Sequence, residues 1–264
     1  MKKIVCLILL AFNNFCFSAG ELFVVSERHD FKDADKLSHE TFKRFVSPEH
    51  PHHSWDMTSQ DWEEVKAGKN IAIVIHGYNT DYEKAIKYFK DVRKRSAALY
   101  DTIICYLWPS GDEFWEYFEA DDRVEGKELP KRLAILINEL ALSTHPVDVI
   151  AHSMGCKLLL ETLSKEPIGS VGNLFLMAPA VNKDSLSTKI LQIAQEIFVF
   201  YSHHDEVLTW AYPILEWHQA LGADEDNKKS PHLHLIDSSS HIKNHTDYAT
   251  SGFIFSTIAS ALAQ

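Results

Sequence analysis

Short apolar runs alternate with amphipathic segments along most of this chain. The runs are rich in β-branched or aromatic residues, which is typical of strands buried on both faces of a sheet, and the segments between them carry apolar residues at helical spacing. This alternation predicts an α/β fold, a mostly parallel sheet with helices on both faces. The predicted strands lie at 22–25, 70–75, 102–107, 147–150, 173–177, 197–201 and 233–236, and the predicted helices at 59–67, from 82, from 130, at 157–163, 185–195 and 253–262. The polar segment 30–69 is predicted to be loop apart from the first of these helices.

The predicted strand at 147–150 runs directly into Ala151-His152-Ser153-Met154-Gly155, and a helical pattern follows at once. This arrangement is typical of a nucleophile elbow, a strand-to-helix turn that lifts a Ser hydroxyl above the sheet. The first residue of the pattern is usually Gly, because strand and helix nearly touch beside the turn. Ala151 holds that position here, and Ala is the smallest side chain after Gly. We therefore predict Ser153 as a nucleophile.

A second motif, His76-Gly77-Tyr78-Asn79, follows the predicted strand at 70–75. A helix start comes next, in which Thr80 is predicted as the N-cap and Glu83 completes a capping box. Taken alone, the His-Gly pair favours an ordinary strand-to-helix turn. Its interpretation changes when it is combined with the other motifs of the chain.

Four motifs occur in the order found in one branch of the α/β-hydrolase superfamily, the bacterial esterase/lipase-like proteins of poorly assigned substrate. The chain resembles this branch from about residue 21 to its C-terminus, and in that branch the elbow often begins with Ala. The resemblance implies an α/β-hydrolase fold, a Ser-His-acid hydrolase activity and no cofactor. The motifs are His76-Gly77-Tyr78-Asn79, Leu107-Trp108-Pro109-Ser110, Ile150-Ala151-His152-Ser153-Met154-Gly155 and Ala178-Pro179.

The resemblance also implies where an oxyanion hole would lie. In an α/β-hydrolase, one backbone N–H donor comes from a loop after an earlier strand, and the other comes from the residue after the nucleophile. These positions correspond to Tyr78 and Met154 in this chain.

The acid and the base are expected after late strands, in the order Ser, acid, His, because ligands bind beyond the carboxyl ends of parallel strands. Asp205 follows the predicted strand at 197–201 and is predicted to orient the base. His245 begins a stretch, His245-Thr246-Asp247-Tyr248, that resembles the His-x-x-Tyr/Phe stretch of the family, so we predict it as the general base. His241 is the alternative base.

One position departs from the family pattern. Relatives often carry Asp directly after the Ala-Pro pair, whereas this chain has Ala180. Some hydrolases take their acid from that position, and its loss here leaves the role to Asp205 by elimination. Asp184 is a weaker option, because it is placed to cap the helix predicted at 185–195.

Several residues near these motifs are candidates for a substrate pocket. They are His76, His152 and Trp108. The two histidines could instead support the loops of the site, and Trp108 could belong to the core. The aromatic segment 114–118 could form a cap or substrate wall, or an amphipathic helix packed on the domain.

Composition limits the class of protein and its partners. With 264 residues, 45% hydrophobic residues and no linker or repeat, residues 20–264 are predicted to form a single domain. The net charge of −11 argues against nucleic acid or an anionic membrane as a partner, since both bind through basic patches. The expected partner is a small-molecule ester or other acyl substrate, and the oligomeric state stays open.

The 15 histidines raise the question of a metal site, above all in Glu49-His50-Pro51-His52-His53. Metal ligation needs donors at fixed spacing on defined elements, and a loop broken by Pro does not supply that geometry. We therefore interpret this stretch as a solvated loop and predict no metal site.

The N-terminus is typical of a secretory signal peptide. Lys2-Lys3 precede the apolar run 4–12, and the small residues Ser18-Ala19-Gly20 follow. Residues 1–19 are predicted to be removed on export to the periplasm or the exterior, with no stable membrane insertion afterwards. Cys105 and Cys156 would remain, and both are predicted to be buried thiols.

These features favour a serine hydrolase that cleaves carboxylic esters through an acyl-enzyme intermediate, with Ser153, Asp205 and His245 as its triad. Two alternatives stay open. One is a non-catalytic binding or scaffold protein on the same fold. The other is a lipase, thioesterase or amidase that uses the same triad, since specificity depends on the shape of the pocket.

Overall fold

The computed structural model describes residues 21–141, 146–182, 185–211, 221 and 230–263. Its strands are β1 (Leu22–Arg28), β2 (Leu37–Val46), β3 (Ser54–Asp56), β4 (Ile71–Ile75), β5 (Thr102–Leu107), β6 (Asp148–His152), β7 (Leu174–Met177), β8 (Ile197–Tyr201) and β9 (Leu233–Asp237). Its α-helices are α1 (Ser59–Lys66), α2 (Tyr82–Ser96), α3 (Tyr117–Glu125), α4 (Glu128–Ala141), α5 (Met154–Lys165), α6 (Thr188–Ile193) and α7 (Gly252–Leu262). Short 3₁₀ turns lie at Phe114–Glu116 and Tyr248–Thr250, and a π-helical turn lies at Val207–Ala211.

These strands form one sheet in the order β3-β2-β1-β5-β4-β6-β7-β8-β9. From β1 to β9 the neighbouring strands are parallel, whereas β2 and β3 are antiparallel additions at one edge. The predicted mostly parallel sheet is therefore confirmed. Because β4 and β6 lie side by side, with Ile75 paired to Ala151, the two sequence motifs that follow them are brought to the same edge.

The predicted strands β4 to β8 are found because their residues are buried on both faces, whereas β9 is half-buried at the edge of the sheet. Along β4, Ile71, Ile73 and Ile75 contribute to one apolar core, and Ala72 and Val74 contribute to the other. Helices α1, α3, α4, α5 and α6 supply the first core, and α2 and α7 supply the second. Both described cysteines, Cys105 and Cys156, are buried free thiols.

The hairpin of β2 and β3 was not predicted, since a loop was expected there. This edge ribbon is mostly half-buried or exposed, so β2 mixes polar and apolar residues without a continuous apolar run. Its contacts are tertiary, as in the Phe45 ring that stacks on Trp55 across the hairpin with centroids 5.6 Å apart. Such strands are specified by cross-strand pairs more than by local pattern.

The predicted N-cap of α2 was wrong by one residue, and the predicted starts of α4, α5 and α6 were wrong by two or three residues, since α5 begins at Met154 and α6 at Thr188. The N-cap of α2 is Asp81, whose carboxylate accepts a hydrogen bond from the Lys84 N–H at 2.8 Å. The Thr80 hydroxyl instead donates to the carbonyls of Gly77 and Tyr78, both at 3.0 Å, and so belongs to the preceding turn. In α4, Pro130 is the third helical residue, where its missing N–H still costs no intrahelical bond.

The described helices include none that is long and apolar enough to cross a membrane.

A buried ion pair joins the sheet to α4. Glu27 at the end of β1 is 1% exposed, and its carboxylate lies 2.9 Å from Arg132 Nη1. Thr41 of β2 donates its hydroxyl to the same carboxylate at 3.0 Å. Burial raises the pKa of Glu27, and the hydrogen bonds from Arg132 and Thr41 oppose that rise. The charged carboxylate therefore depends on these partners.

Replacing Arg132 with Met should lower the free energy of unfolding by about 3–5 kcal/mol, because it leaves Glu27 buried without its counter-charge. Glu27 already has a folded pKa above its unfolded value, and the substitution raises it further. The folded state then gains protons first as the pH falls, so the loss should be fully present at neutral pH and shrink on acidification. Urea unfolding at several pH values measures this.

The double variant Glu27→Gln/Arg132→Met serves as the control, since it removes both charges together. It should recover much of the lost stability at neutral pH and lose the pH dependence. Equal stability of the single and the double variant would contradict the role given to this ion pair.

Candidate active site

The end of β6 carries a strained turn. Ser153 has φ 54° and ψ −125°, and positive φ is unfavourable for any residue with a side chain. The turn is held by the backbone, because the Ser153 N–H donates to the Met177 carbonyl at 3.0 Å and its carbonyl accepts from the Cys156 N–H at 2.9 Å. Helix α5 begins with the next residue. This strand-turn-helix is the geometry of a nucleophile elbow.

Glycine is required at one position around this turn and is closely packed at another. A Cβ on Gly155 would collide with the carbonyl oxygen of His76, which belongs to the neighbouring loop. A Cβ on Gly77 would lie 3.0 Å from Cβ of Ser153. Ala151, by contrast, still lies within β6 and is packed in the first core, so its methyl group is accommodated. The elbow therefore needs glycine after Ser153 and not before it.

The substitution Gly155→Ala should destabilise the protein by about 1–3 kcal/mol, because backbone must move to admit the methyl group. Without the collision, Ala would stabilise a helical position by about 1 kcal/mol relative to Gly. Gly169→Ala is the matched control, since a Cβ there meets nothing within 4 Å. Urea unfolding of both variants measures the difference, and equal stability would show that the loop at His76 yields freely.

His245 connects Ser153 to Asp205. Its Nε2 lies 2.8 Å from Ser153 Oγ, and its Nδ1 lies 2.8 Å from Asp205 Oδ2 and 3.0 Å from Oδ1. The Asp205 side chain is fully buried, and that of His245 is 15% exposed. The structure thus brings together the three residues that were predicted from the order of the strands and from the family resemblance.

The buried Asp205 carboxylate is held from several sides. It follows the end of β8 by four residues, and its Oδ1 also accepts the Leu208 N–H at 3.2 Å. The Asp205 carbonyl accepts the Thr209 N–H at 2.9 Å, which fixes the main chain. Tyr248 is buried next to Asp205. Burial, with a smaller effect of the Asp205 charge, raises the pKa of the Tyr248 hydroxyl.

Neither Ala180 nor the alternative base His241 takes part in this chain of contacts. Ala180 lies close to the nucleophile, with its N–H 3.3 Å from the Ser153 carbonyl, but it offers no carboxylate. Asp184 lies outside the described residues. His241 is exposed, and its ring stacks on Phe253 with centroids 4.3 Å apart.

His76 and Trp108 brace the ends of β4 and β5. The His76 ring donates through Nδ1 to the Gly77 carbonyl at 2.8 Å and accepts the Trp108 N–H through Nε2 at 3.2 Å, which assigns its tautomer. The Trp108 indole N–H returns a bond to the His76 carbonyl at 2.8 Å. Burial lowers the pKa of His76 well below its ordinary value, so the ring stays neutral. These bonds hold the loop that carries Tyr78.

This arrangement corrects one pocket candidate. Trp108 is fully buried, stacks on His76 at 5.6 Å, and does not line the cavity beside Ser153. The other two candidates, His76 and His152, do line that cavity. Trp108 was misassigned because the end of a strand can direct its side chain to the cleft or to the core, and the local pattern does not distinguish them.

The cavity beside Ser153 has a volume of about 440 Å³ and lies between α2 and the loop after His245. The first turns of α2 form one wall of the cavity, which was not predicted from the sequence. The signal that could have indicated this wall was the helical spacing of polar residues directly after the His-Gly motif. Two local ion pairs lie along this wall, Lys84 with Asp81 at 3.1 Å and Lys87 with Asp91 at 2.8 Å. The polar or charged lining includes Thr80, Lys84, Lys87, Asp91, Thr246 and Thr250.

The predicted oxyanion donors, Tyr78 and Met154, belong to the two segments next to Ser153. Met154 opens α5, where the first backbone N–H groups have no partner within the helix. Tyr78 lines the cavity, and its hydroxyl donates to the Glu113 carbonyl at 2.6 Å. Burial, with a smaller effect of Glu116, raises the pKa of Tyr78 to about 12. The side chain is thereby anchored, while the oxyanion role of both N–H groups stays a prediction.

The aromatic segment 114–118 leads into α3. Trp115 and Phe118 are 74% and 62% exposed, whereas Tyr117 is buried against Tyr78 with ring centroids 5.3 Å apart. Lys157 of α5 forms ion pairs with Asp121 and Glu125 of α3, the latter at 2.9 Å. The segment is therefore the start of a helix packed on the domain.

The His-rich loop is arranged as separate pairs. The ring of His50 lies near that of His53 at 5.5 Å, and His52 lies 3.5 Å from Glu83. Within the described residues, no histidine of this loop meets two further ligating side chains at metal-binding distance.

A sheet of this order, with a Ser at a strained strand-to-helix turn, defines an α/β hydrolase. Residues 57–254 match the family model described as "Alpha/beta hydrolase of unknown function (DUF900)". The chain belongs to this family, which confirms the predicted superfamily and fold.

Solved structures of similar fold differ widely in sequence. An alpha/beta-superfamily protein from Xanthomonas campestris pv. campestris is 15% identical, with 73% of this chain and 99% of that chain covered and a TM-score of 0.40. Esterase PE8 is 16% identical, with 75% and 93% covered and a TM-score of 0.43. Trichoderma reesei cutinase is 8% identical, with 75% and 78% covered and a TM-score of 0.36. No match was found among curated proteins.

Proposed function

We propose that this protein is a serine hydrolase that cleaves carboxylic esters of small molecules. The observation that carries the proposal is the unbroken series of hydrogen bonds from Asp205 through His245 to Ser153, with closest distances of 2.8 Å at both steps. A nucleophile, a base in contact with it, and an acid that orients the base are the requirements of acyl transfer.

In the first half-reaction, Ser153 Oγ attacks the ester carbonyl carbon while His245 Nε2 takes the hydroxyl proton. Asp205 holds Nδ1–H, which directs the free lone pair of Nε2 at Ser153, and it stabilises the imidazolium that forms. The negative charge on the carbonyl oxygen is stabilised by the Tyr78 and Met154 N–H groups. The tetrahedral intermediate then expels the alcohol, which receives its proton from His245, and an acyl ester of Ser153 remains.

In the second half-reaction, water replaces the alcohol. His245 takes a proton from water as its oxygen attacks the acyl carbon, and a second tetrahedral intermediate forms. Its collapse breaks the bond to Ser153 Oγ, which recovers the proton from His245. The carboxylic acid leaves, and the enzyme returns to its starting protonation state.

Single substitutions test the assignment of residues. Ser153→Ala and His245→Gln should each lower kcat/KM for ester hydrolysis by at least about 10³-fold, because members of a triad act as a unit. Ser153→Ala should also abolish labelling by a fluorophosphonate, which bonds to an activated Ser hydroxyl.

His241→Gln is the matched control for His245→Gln. It removes an imidazole four residues away that is exposed and stacked on Phe253, so activity should stay within about twofold of wild type. If the wild-type protein neither labels nor hydrolyses a panel of esters, thioesters and amides, the non-catalytic alternative is favoured. If His241→Gln abolishes activity while His245→Gln does not, the base is misassigned.

A lipase is the second candidate. It is favoured by Trp115 and Phe118, two exposed side chains of the aromatic segment 114–118, whose Tyr117 contacts Tyr78. The charged side chains in the cavity beside Ser153 favour soluble substrates instead. Lys84, Lys87 and Asp91 line the cavity beside Ser153, so each CH₂ of an acyl chain that lies against these charged side chains gains little of the roughly 0.8 kcal/mol that apolar burial supplies.

Acetate and butyrate esters should therefore be cleaved with kcat/KM at least equal to that for decanoate, and without a rise in rate when the substrate forms an emulsion. The variant Trp115→Ser/Phe118→Ser should behave as wild type on soluble esters. A rate that increases only above the solubility limit, and is lost in the double variant, would establish the lipase instead.

A further inference from the structure

His152 is the last residue of β6 and precedes the nucleophile directly. Its Nε2 lies 2.9 Å from the carbonyl oxygen of His245, and the two rings are 4.8 Å apart between centroids. The end of β6 therefore carries both Ser153 and His152. His152 contacts the main chain of His245, and the side chain of His245 is the hydrogen-bonding partner of Ser153.

The direction of this hydrogen bond follows from the burial of the ring. Burial, with a smaller effect of the nearby His245, lowers the pKa of His152 to about 3, so the ring is neutral at ordinary pH and carries one proton. A carbonyl oxygen can only accept, which places that proton on Nε2. Nδ1 is the unprotonated nitrogen, and it lies on the side of Gly77.

Two carbonyl groups of the loop that carries His245 accept hydrogen bonds from side chains outside the loop. The Ser202 hydroxyl donates to the Ile242 carbonyl at 2.9 Å, which fixes the start of the loop to the end of β8. Three residues later, His152 fixes the His245 carbonyl to the end of β6. Between these anchors the Lys243 and Asn244 N–H groups bond to the Asp247 carboxylate, at 3.0 and 2.8 Å, which are contacts internal to the loop.

The ring of His152 is itself held from both sides. Tyr88 of α2 lies 5.8 Å from it, and Tyr248 lies 6.0 Å from it, measured between ring centroids. The main chain of His152 is paired with Met177 of β7. A side chain with so little freedom can transmit the position of the sheet to the loop.

We propose that His152 is a positioning residue whose hydrogen bond to the His245 carbonyl keeps the general base in register with Ser153. This inference rests on the proposed function, since it assigns His245 as the base. Ser153 and the loop of His245 are then both attached to the end of β6. Motions of the loop therefore do not separate Ser153 Oγ from His245 Nε2.

The test compares two amides at position 152. In His152→Gln the side-chain N–H₂ reaches the place of Nε2 and can still donate to the His245 carbonyl. In His152→Asn the amide reaches only the place of Nδ1, so the bond is lost although the side chain stays polar. The measured quantities are kcat and KM for a soluble ester, the rate of fluorophosphonate labelling, and hydrogen–deuterium exchange of the peptide spanning 241–250.

For His152→Asn, kcat and the labelling rate should fall about 10- to 100-fold, with KM changed by less than about threefold, because the base is misplaced while the other residues that line the cavity are unchanged. Amides in 241–250 should exchange faster. For His152→Gln, kcat and exchange should return to within about threefold of wild type. The thermal midpoints of the two variants check that both are folded, and exchange reports on the loop whether or not ester is cleaved.

The outcomes separate the two proposals. If wild-type protein is inactive and unlabelled, the proposed function fails, while faster exchange in His152→Asn alone still supports the anchoring of the loop. If wild type is active and His152→Asn matches it in kcat and exchange, the positioning role is wrong and the proposed function stands. If Asn and Gln lower kcat equally with unchanged exchange, His152 serves packing only, which also overturns the inference.

Discussion

The close approach of β6, α5 and the His76 loop is the constraint on which the rest of the site depends. It forces Ser153 into the left-handed region, a conformation that costs about 1–3 kcal/mol and persists only where surrounding structure determines it. Here the surroundings are the sheet, which binds the Ser153 N–H, and the buried helix α5, which starts at the next residue. Because Gly155 lies directly against the His76 carbonyl, Ser153 and the neighbouring loop have a fixed separation.

Three histidines at this edge of the sheet differ in solvent exposure and in the contacts that they make. His76 and His152 are buried, and their lowered pKa values keep them neutral, so each holds backbone through hydrogen bonds of one defined tautomer. His245 is the more exposed ring, and it alone contacts both a buried carboxylate and the hydroxyl of Ser153. A ring that is to accept and release protons must reach the cleft, whereas rings that brace loops are best kept from charging.

The fully buried Asp205 makes a comparable demand on its neighbours. A buried carboxylate is unfavourable unless hydrogen bonds satisfy it, and those to His245 and the Leu208 N–H do so. Glu27 solves the same problem with Arg132 and Thr41 at the other side of the sheet. The cavity beside Ser153 is bounded by parts that other contacts already hold, since α2 packs on the second core and the Tyr78 hydroxyl donates to the Glu113 carbonyl.

Local patterns in the sequence determined the parallel strands, the elbow, and the order in which Ser153, Asp205 and His245 follow their strands. They could do so because burial on both faces and a tight strand-to-helix turn restrict residue types over a few neighbouring positions. Tertiary structure alone decided the rest: the β2–β3 hairpin, the position of Trp108 in the core, the polar wall of α2, and the contact of His152 with His245. Those features depend on which surfaces meet across tens of residues, and a side chain at the end of a strand has no local pattern that indicates its partner. The 2.8 Å contact between Ser153 and His245 spans 92 residues, and only the packing of the sheet brings its two atoms together.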